Sequence, residues 1–137
     1  MRDFRIVVAG HSGLAAALVR SAELICGELR DVTAVGIAPA DTPETFAAEL
    51  RRAIELDGRP VLVLADIHGG TPSNVAAQLA HERPGTVVVA GATLGMLVEA
   101  ATSIDSLGDG AIDRLVTAGR DGIVDVTGRL SRTRTPR

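Results

Sequence analysis

Two short stretches of this chain carry side chains suited to group transfer. In Val7-Val8-Ala9-Gly10-His11-Ser12-Gly13 an apolar run stops at a glycine, a histidine follows, and a helical pattern starts behind it. Asp66-Ile67-His68-Gly69-Gly70-Thr71-Pro72-Ser73-Asn74 has the same strand-turn-helix character, with a carboxylate at its head. A neutral imidazole with a pKa near 6.5 is a competent nucleophile at cell pH. His11 at a strand end, beside free N–H groups at a helix start, suits a bound phosphoryl group. The residues alone leave a second reading open, in which the ring merely caps its turn. Asp66 shifts the balance. A carboxylate at the end of a neighbouring strand fixes one imidazole nitrogen and presents the other outward, although aspartate after a strand also commonly caps a turn.

The rest of the second stretch reads as a cradle. Gly69 and Gly70 let backbone approach an anion, and the helix behind them offers N–H groups near Ser73 and Asn74. Thr71 is suited to cap that helix or to bind a phosphoryl oxygen, as Ser12 and Gly13 are at the first turn. His68 sits in the cradle loop, where it borders the site or meets a partner. His81, near a helix end, reads as structural. The loop is no Walker motif, because the chain has no lysine and the spacing differs, which argues against a nucleotide kinase. No His, Cys, Asp or Glu set has zinc-like spacing, so no metal and no other cofactor is expected. Neither Ser12 nor Ser73 sits in a Gly-x-Ser-x-Gly elbow.

These residues need a scaffold that brings two turns together. The 137 residues make one domain, expected over residues 1–130, with a polar tail over 131–137. Apolar runs at Phe4–Ala9, Asp31–Ile37, Val61–Ala65 and Thr86–Ala90 read as strands, with a fifth, short one at Ile123–Val126. Helical spacing runs over Ser12–Arg30, with Leu14, Ala17, Leu18, Ala22, Ile25 and Leu29 inward and Ser12 as N-cap. Asp41-Thr42-Pro43-Glu44 opens a second helix, with Phe46, Leu50, Ala53 and Ile54 as its inner stripe. Further helices are expected over Pro72–Glu82, Met96–Ser103 and Ala111–Ala118. This alternation means an α/β fold in three layers, a mainly parallel sheet of order 2-1-3-4 between helices. In that order the first and third strands are neighbours, and His11 and Asp66 meet at the switch point.

Composition excludes several function classes. The longest apolar runs fall far short of a membrane span, so no membrane insertion is expected. No secretory pattern opens the chain, and the single Cys26 fits a cytosolic protein, as a buried inert thiol. The net charge is −3 and basic residues cluster only at the end, which argues against nucleic acid. Phe4 and Phe46 are the only aromatics, so a stacking platform for a sugar or a base is not expected.

Together the Gly10-His11-Ser12-Gly13 turn, the Asp66-x-x-Gly69-Gly70-Thr71-Pro72-x-Asn74 loop and Ala90-Gly91-x-x-x-Gly95-Met96-Leu97-Val98-Glu99 carry a resemblance. So does Ala118-Gly119-Arg120-Asp121-Gly122-Ile123. Over about Arg5 to Leu130 the chain resembles the mannose-type IIA domains of the bacterial sugar phosphotransferase system. The resemblance implies that His11 takes a phosphoryl group from the phosphocarrier HPr and passes it to a IIB protein, with Asp66 orienting the histidine. It also implies a homodimer that exchanges a C-terminal strand, which would be Ile123–Val126. His68 departs from relatives that carry an aromatic there, which bears on the partner. No IIB unit follows in this chain, so the expected role is in sugar uptake or in a regulatory phosphorelay. Two alternatives stay open. One is the phosphotransfer subunit of dihydroxyacetone kinase, against which the Gly69–Asn74 loop speaks. The other is a non-enzymatic module switched by His11 phosphorylation.

Overall fold

The computed structural model of the chain describes residues 2–134. Four strands, β1 (Arg5–His11), β2 (Val32–Ile37), β3 (Val61–Ala65) and β4 (Thr86–Ala90), form one parallel sheet in the order β2-β1-β3-β4. Six helices accompany it: α1 (Leu14–Cys26), α2 (Pro43–Ile54), α3 (Thr71–Glu82), α4 (Leu94–Ser103), α5 (Ala111–Asp121) and α6 (Val126–Arg134). The expected architecture and strand order hold.

The two faces of the sheet follow from strand alternation. Ile6 and Val8 of β1, with Leu62 and Leu64 of β3, pack with Ala15 and Ala22 of α1, Met96, Leu97 and Ala100 of α4, and Leu115 of α5. Val7, Ala9, Val61 and Val63 point the other way, onto Phe46, Leu50 and Ile54 of α2 and Val75, Ala76 and Leu79 of α3. Both central strands are apolar on both faces, as a doubly covered parallel strand must be.

Local chemistry sets several boundaries. Thr42 caps α2: its hydroxyl accepts from the Thr45 N–H at 3.1 Å, and the Thr45 hydroxyl accepts from the Thr42 N–H at 2.9 Å. Thr93 caps α4 by accepting from the Met96 N–H at 3.1 Å. β3 and β4 have the expected limits, because nothing in those runs competes with an extended, apolar backbone.

Other expectations need correction. β1 continues to His11, since pairing with β2 runs through His11↔Ile37. Ser12 caps nothing; the N-cap of α1 is Gly13, without a side-chain bond. α1 stops at Cys26, where Gly27 turns the chain with φ 83°. Its inner face is Ala15 and Ala22 with Leu18 and Val19 packed beside them, while Leu14 and Ile25 are exposed and Cys26 is only partly buried. Ile123–Val126 forms no strand: residues 123–125 are irregular and α6 begins at Val126. An isolated four-residue segment has no ladder partner here, and its Asp125 instead binds the Gly128 N–H at 2.8 Å, in the first turn of α6. The expected tail at Ser131 is helical to Arg134, and residues 135–137 lie outside the described residues.

Candidate functional site

Register places the two key side chains together. Ala9 of β1 pairs with Ala65 of β3, so the residues leaving those strands emerge side by side. The Asp66 N–H donates to the Ala9 carbonyl at 3.0 Å, extending the ladder one step. Gly10 lies opposite the carboxylate, and a Cβ there would sit 3.1 Å from Asp66 Oδ2. The missing side chain at position 10 leaves room for the carboxylate to reach His11.

Asp66 Oδ2 grips one residue twice. It accepts from the His11 backbone N–H at 2.8 Å and lies 2.9 Å from His11 Nδ1. A carboxylate can only accept, so Nδ1 carries the proton and Nε2 holds the free lone pair. The Asp66 side chain is 7% exposed and that of His11 is 51% exposed. Burial pushes the Asp66 carboxyl up. The bonds from the His11 N–H and ring, with one from the Ile67 backbone, outweigh it and hold the carboxyl below its ordinary range. Asp66 is therefore an anion at neutral pH. Among the described residues its Oδ1 is buried with no hydrogen-bond partner.

The ring rests against the start of α3. A Cβ at position 70 would lie 2.9 Å from His11 Cε1 and 3.5 Å from Nε2, so the Gly70 backbone and the imidazole share space that no side chain can enter. Gly70 is the N-cap of α3, and no side chain caps that helix. The first turn of a helix leaves its N–H groups without intrahelical partners. Pro72 has none, so in that turn Thr71 and Ser73 supply them, and the helix dipole adds positive potential at this end of α3.

The remaining predicted residues divide between the groove and the backbone beside it. Gly69 turns with φ 87°. The Ser73 hydroxyl accepts from the Gly69 N–H at 3.0 Å and donates to the Gly70 carbonyl at 3.2 Å. Ser73 is buried and its hydroxyl braces the loop. Asn74 Nδ2 donates to the Gly69 carbonyl at 3.3 Å. An open groove of about 600 Å³ runs over the site, lined by His11, Leu14, Asp66 and residues 67–70. His68 is thus on the groove, whereas Ser12, Gly13, Thr71 and Ser73 do not line it. His81 is exposed in the last turn of α3, with no part in the groove. Leu14 and Ile67 leave apolar surface, 47% and 57% exposed, on the rim. Both aromatics, Phe4 and Phe46, are fully buried, so the groove has no stacking face. Among the described residues no three His, Cys, Asp or Glu side chains are placed to hold a metal ion, and no helix is long and apolar enough to cross a membrane.

Sequence reasoning missed Gly36. A Cβ at that position would overlap the carbonyl oxygen of Ser12, the residue after His11. No local pattern signals this, because positions 12 and 36 are joined only by strand pairing.

Known proteins share this sequence and fold. The mannose-type EIIA family model, described as the fructose IIA component of the phosphotransferase system, matches residues 5–114. The mannose-specific EIIAB component of Escherichia coli K12 is 32% identical over 126 residues, which is 86% of this chain and 38% of that protein. The chain thus spans little more than a third of that longer relative. The sorbose-specific EIIA component of Lacticaseibacillus casei is 30% identical, over 74% of this chain and 75% of its own length. Among solved structures, the mannose/sorbose-specific IIA subunit of Enterococcus faecalis superposes with a TM-score of 0.83 at 33% identity, covering 92% of this chain and 96% of its own. An EIIA component from Streptococcus agalactiae gives a TM-score of 0.83 at 29% identity, covering 91% and 98%. Family match, relatives and fold agree: the chain belongs to the mannose-type EIIA family of the sugar phosphotransferase system.

Proposed function

We propose that this chain is a phosphocarrier in which His11 Nε2 accepts a phosphoryl group from phospho-HPr and hands it to a IIB protein. The observation that carries the reading is the double grip of Asp66 on His11, which locks the proton on Nδ1 and leaves Nε2 facing the groove. In the step, the Nε2 lone pair forms a bond to phosphorus. The bond from phosphorus to the donor breaks, and its electron pair stays on the donor. The Nδ1 proton remains in place, so the phosphorylated ring is cationic and faces the Asp66 anion. The N–H groups of Thr71 and Ser73 offer donors to the phosphoryl oxygens, and Gly69 and Gly70 let backbone approach them. Transfer to the IIB protein repeats the exchange with the roles reversed.

The shape of the site fits protein partners. A phosphoryl group on a half-exposed ring must be reached by another protein, and the rim of Leu14, Ile67 and His68 offers a surface to dock on. Sugar specificity then belongs elsewhere, since both aromatics lie in the core.

The test is direct. With enzyme I, HPr and phosphoenolpyruvate, the chain takes up one acid-labile, base-stable phosphate that maps to His11. Label on a His11→Ala variant would overturn the assignment.

We also propose that the unit works as a homodimer through its C-terminal segment. Ile123 and Val126 are 80% and 63% exposed, a short apolar run left in solvent by the single chain. Sedimentation is expected to give a dimer, and Ile123→Asp with Val126→Asp a monomer. A wild-type monomer at micromolar concentration would remove the proposal.

A further inference from the structure

The chain leaves β1 through Ser12, the one non-glycine residue with a left-handed backbone among those described, at φ 55°. A serine there is strained by about 1 kcal/mol, and such a conformation persists only where its surroundings hold it. Two contacts do so. The Ser12 N–H donates to the Ile37 carbonyl at 2.8 Å, one step past the last strand pair, His11↔Ile37. The Ser12 carbonyl then lies over Gly36 of β2. A Cβ at position 36 would overlap its oxygen and sit 3.4 Å from its carbon. Both are backbone atoms, which cannot swing aside as the end of a long side chain can. Gly36 has no left-handed φ of its own. What position 36 requires is the missing Cβ.

The place of this contact gives it a function. His11 is held on one side by Asp66 Oδ2, through its N–H and ring. On the other side its backbone continues straight into the Ser12 peptide and then Gly13, the N-cap of α1. The Ser12 carbonyl belongs to the Ser12–Gly13 peptide, so displacing it turns the backbone about the Ser12 Cα and, through it, the His11–Ser12 peptide behind the ring. The register pairs Gly10 with Gly36, so two facing glycines serve the histidine. Gly10 makes room for Asp66, and Gly36 makes room for Ser12.

We propose that Gly36 is a positioning residue for phosphoryl transfer: the space over its Cα seats the Ser12 carbonyl and thereby fixes the backbone behind His11. The proposal rests on His11 as the phosphoryl acceptor. It assigns to the edge strand β2, which carries no residue of the site, a part in aiming Nε2.

The experiment uses Gly36→Ala, Gly36→Val and the double variant Ser12→Gly/Gly36→Ala in the full chain. Phosphoryl uptake from phospho-HPr, thermal melting and the NMR signal of the His11 Nδ1–H proton are read together. Gly36→Ala is expected to melt cooperatively, to take up phosphate about tenfold more slowly at saturating donor, and to shift or broaden the ring proton. Gly36→Val is expected to lose more. Adding Ser12→Gly should recover part of the rate, because glycine reaches turn conformations closed to serine. A Gly36→Ala protein with wild-type uptake and an unchanged ring signal overturns the proposal. So does a loss of rate that only tracks the unfolded fraction. If alanine prevents folding, the double variant is compared with Ser12→Gly alone: slower uptake and a different ring signal support the proposal, and identical behaviour overturns it. If wild type takes up no phosphate, the acceptor reading fails, and the ring signal still tests whether Gly36 positions His11.

Discussion

The two ends of the β-sheet are built from opposite materials. At the end where the strands begin, arginine stitches the chain together. Arg5, 3% exposed, binds Asp57 at 2.8 Å and the Ala53 and Ile54 carbonyls at 2.7 and 2.6 Å, which closes the C-terminus of α2. Arg59 bridges Asp31 and Asp57, each at 3.0 Å, and Arg83 holds the Arg59 carbonyl at 2.9 Å. At the other end the strands run out into Gly10, Gly36 and the 66–70 loop, where Asp66 binds the neutral His11 ring. Helix C-termini present carbonyls at the first end, and guanidinium groups answer them. Helix N-termini present N–H groups at the second end, and no side chain caps α1 or α3 there. Closed charge networks hold the fold at the end away from the proposed site. The open end keeps its donors and its one lone pair available.

If that division is right, substitutions at the two ends should fail in different ways. The largest effect expected is from His11→Ala, which abolishes phosphoryl uptake, a loss of at least about 10³-fold. Because the side chain is half-exposed, its melting temperature stays within a few degrees of wild type. Asp66→Asn comes next. An amide can donate to Nδ1 and so favour the wrong tautomer, and uptake should fall by about 10²-fold with the fold retained. Kinetics at the wild-type rate would remove Asp66 from the mechanism. Arg5→Met should do the reverse, lowering stability by about 2 kcal/mol in denaturant titration while leaving the rate per folded molecule unchanged. A rate defect in that variant would mean that the two ends are coupled.

The smallest effect concerns pH. Burial pushes the Asp57 carboxyl up, but bonds from the Arg59 backbone and from the Arg5 and Arg59 side chains together hold it down at about 2. Asp66 is lowered as well. A carboxyl depressed in the folded state adds stability above its unfolded pKa and loses it as pH falls through the folded one. Melting temperature should therefore be flat from pH 7 to about 4 and drop between about 4 and 2. Asp57→Asn should flatten part of that drop, and a slope that persists unchanged would assign it to other groups.

Much of this was legible in the residues. Val61–Ala65 and Thr86–Ala90 read as strands and are strands. His11 and Asp66 stood out because each follows an apolar run and precedes a helix. The strand order that joins them follows from alternation and crossover handedness. What was not legible depended on partners distant in the chain. Ile25 fits a helical stripe, yet it is exposed because no other element reaches it. Ser73 was read for its helix N–H; that its hydroxyl is engaged by Gly69 and Gly70 depends on the folded loop.

The sequence by itself determined the alternating elements, the two turns proposed to carry chemistry, and the absence of any lysine. These are local periodicities and residue counts, and they survive without knowledge of the fold. Only the tertiary structure decided which imidazole nitrogen faces the groove, because the choice is made by a carboxylate 55 residues away. It also decided that Gly70 touches the ring, that Gly36 underlies Ser12, and that residues 126–134 coil into a helix. Each of these is a matter of ångströms between segments that meet only once the sheet has formed.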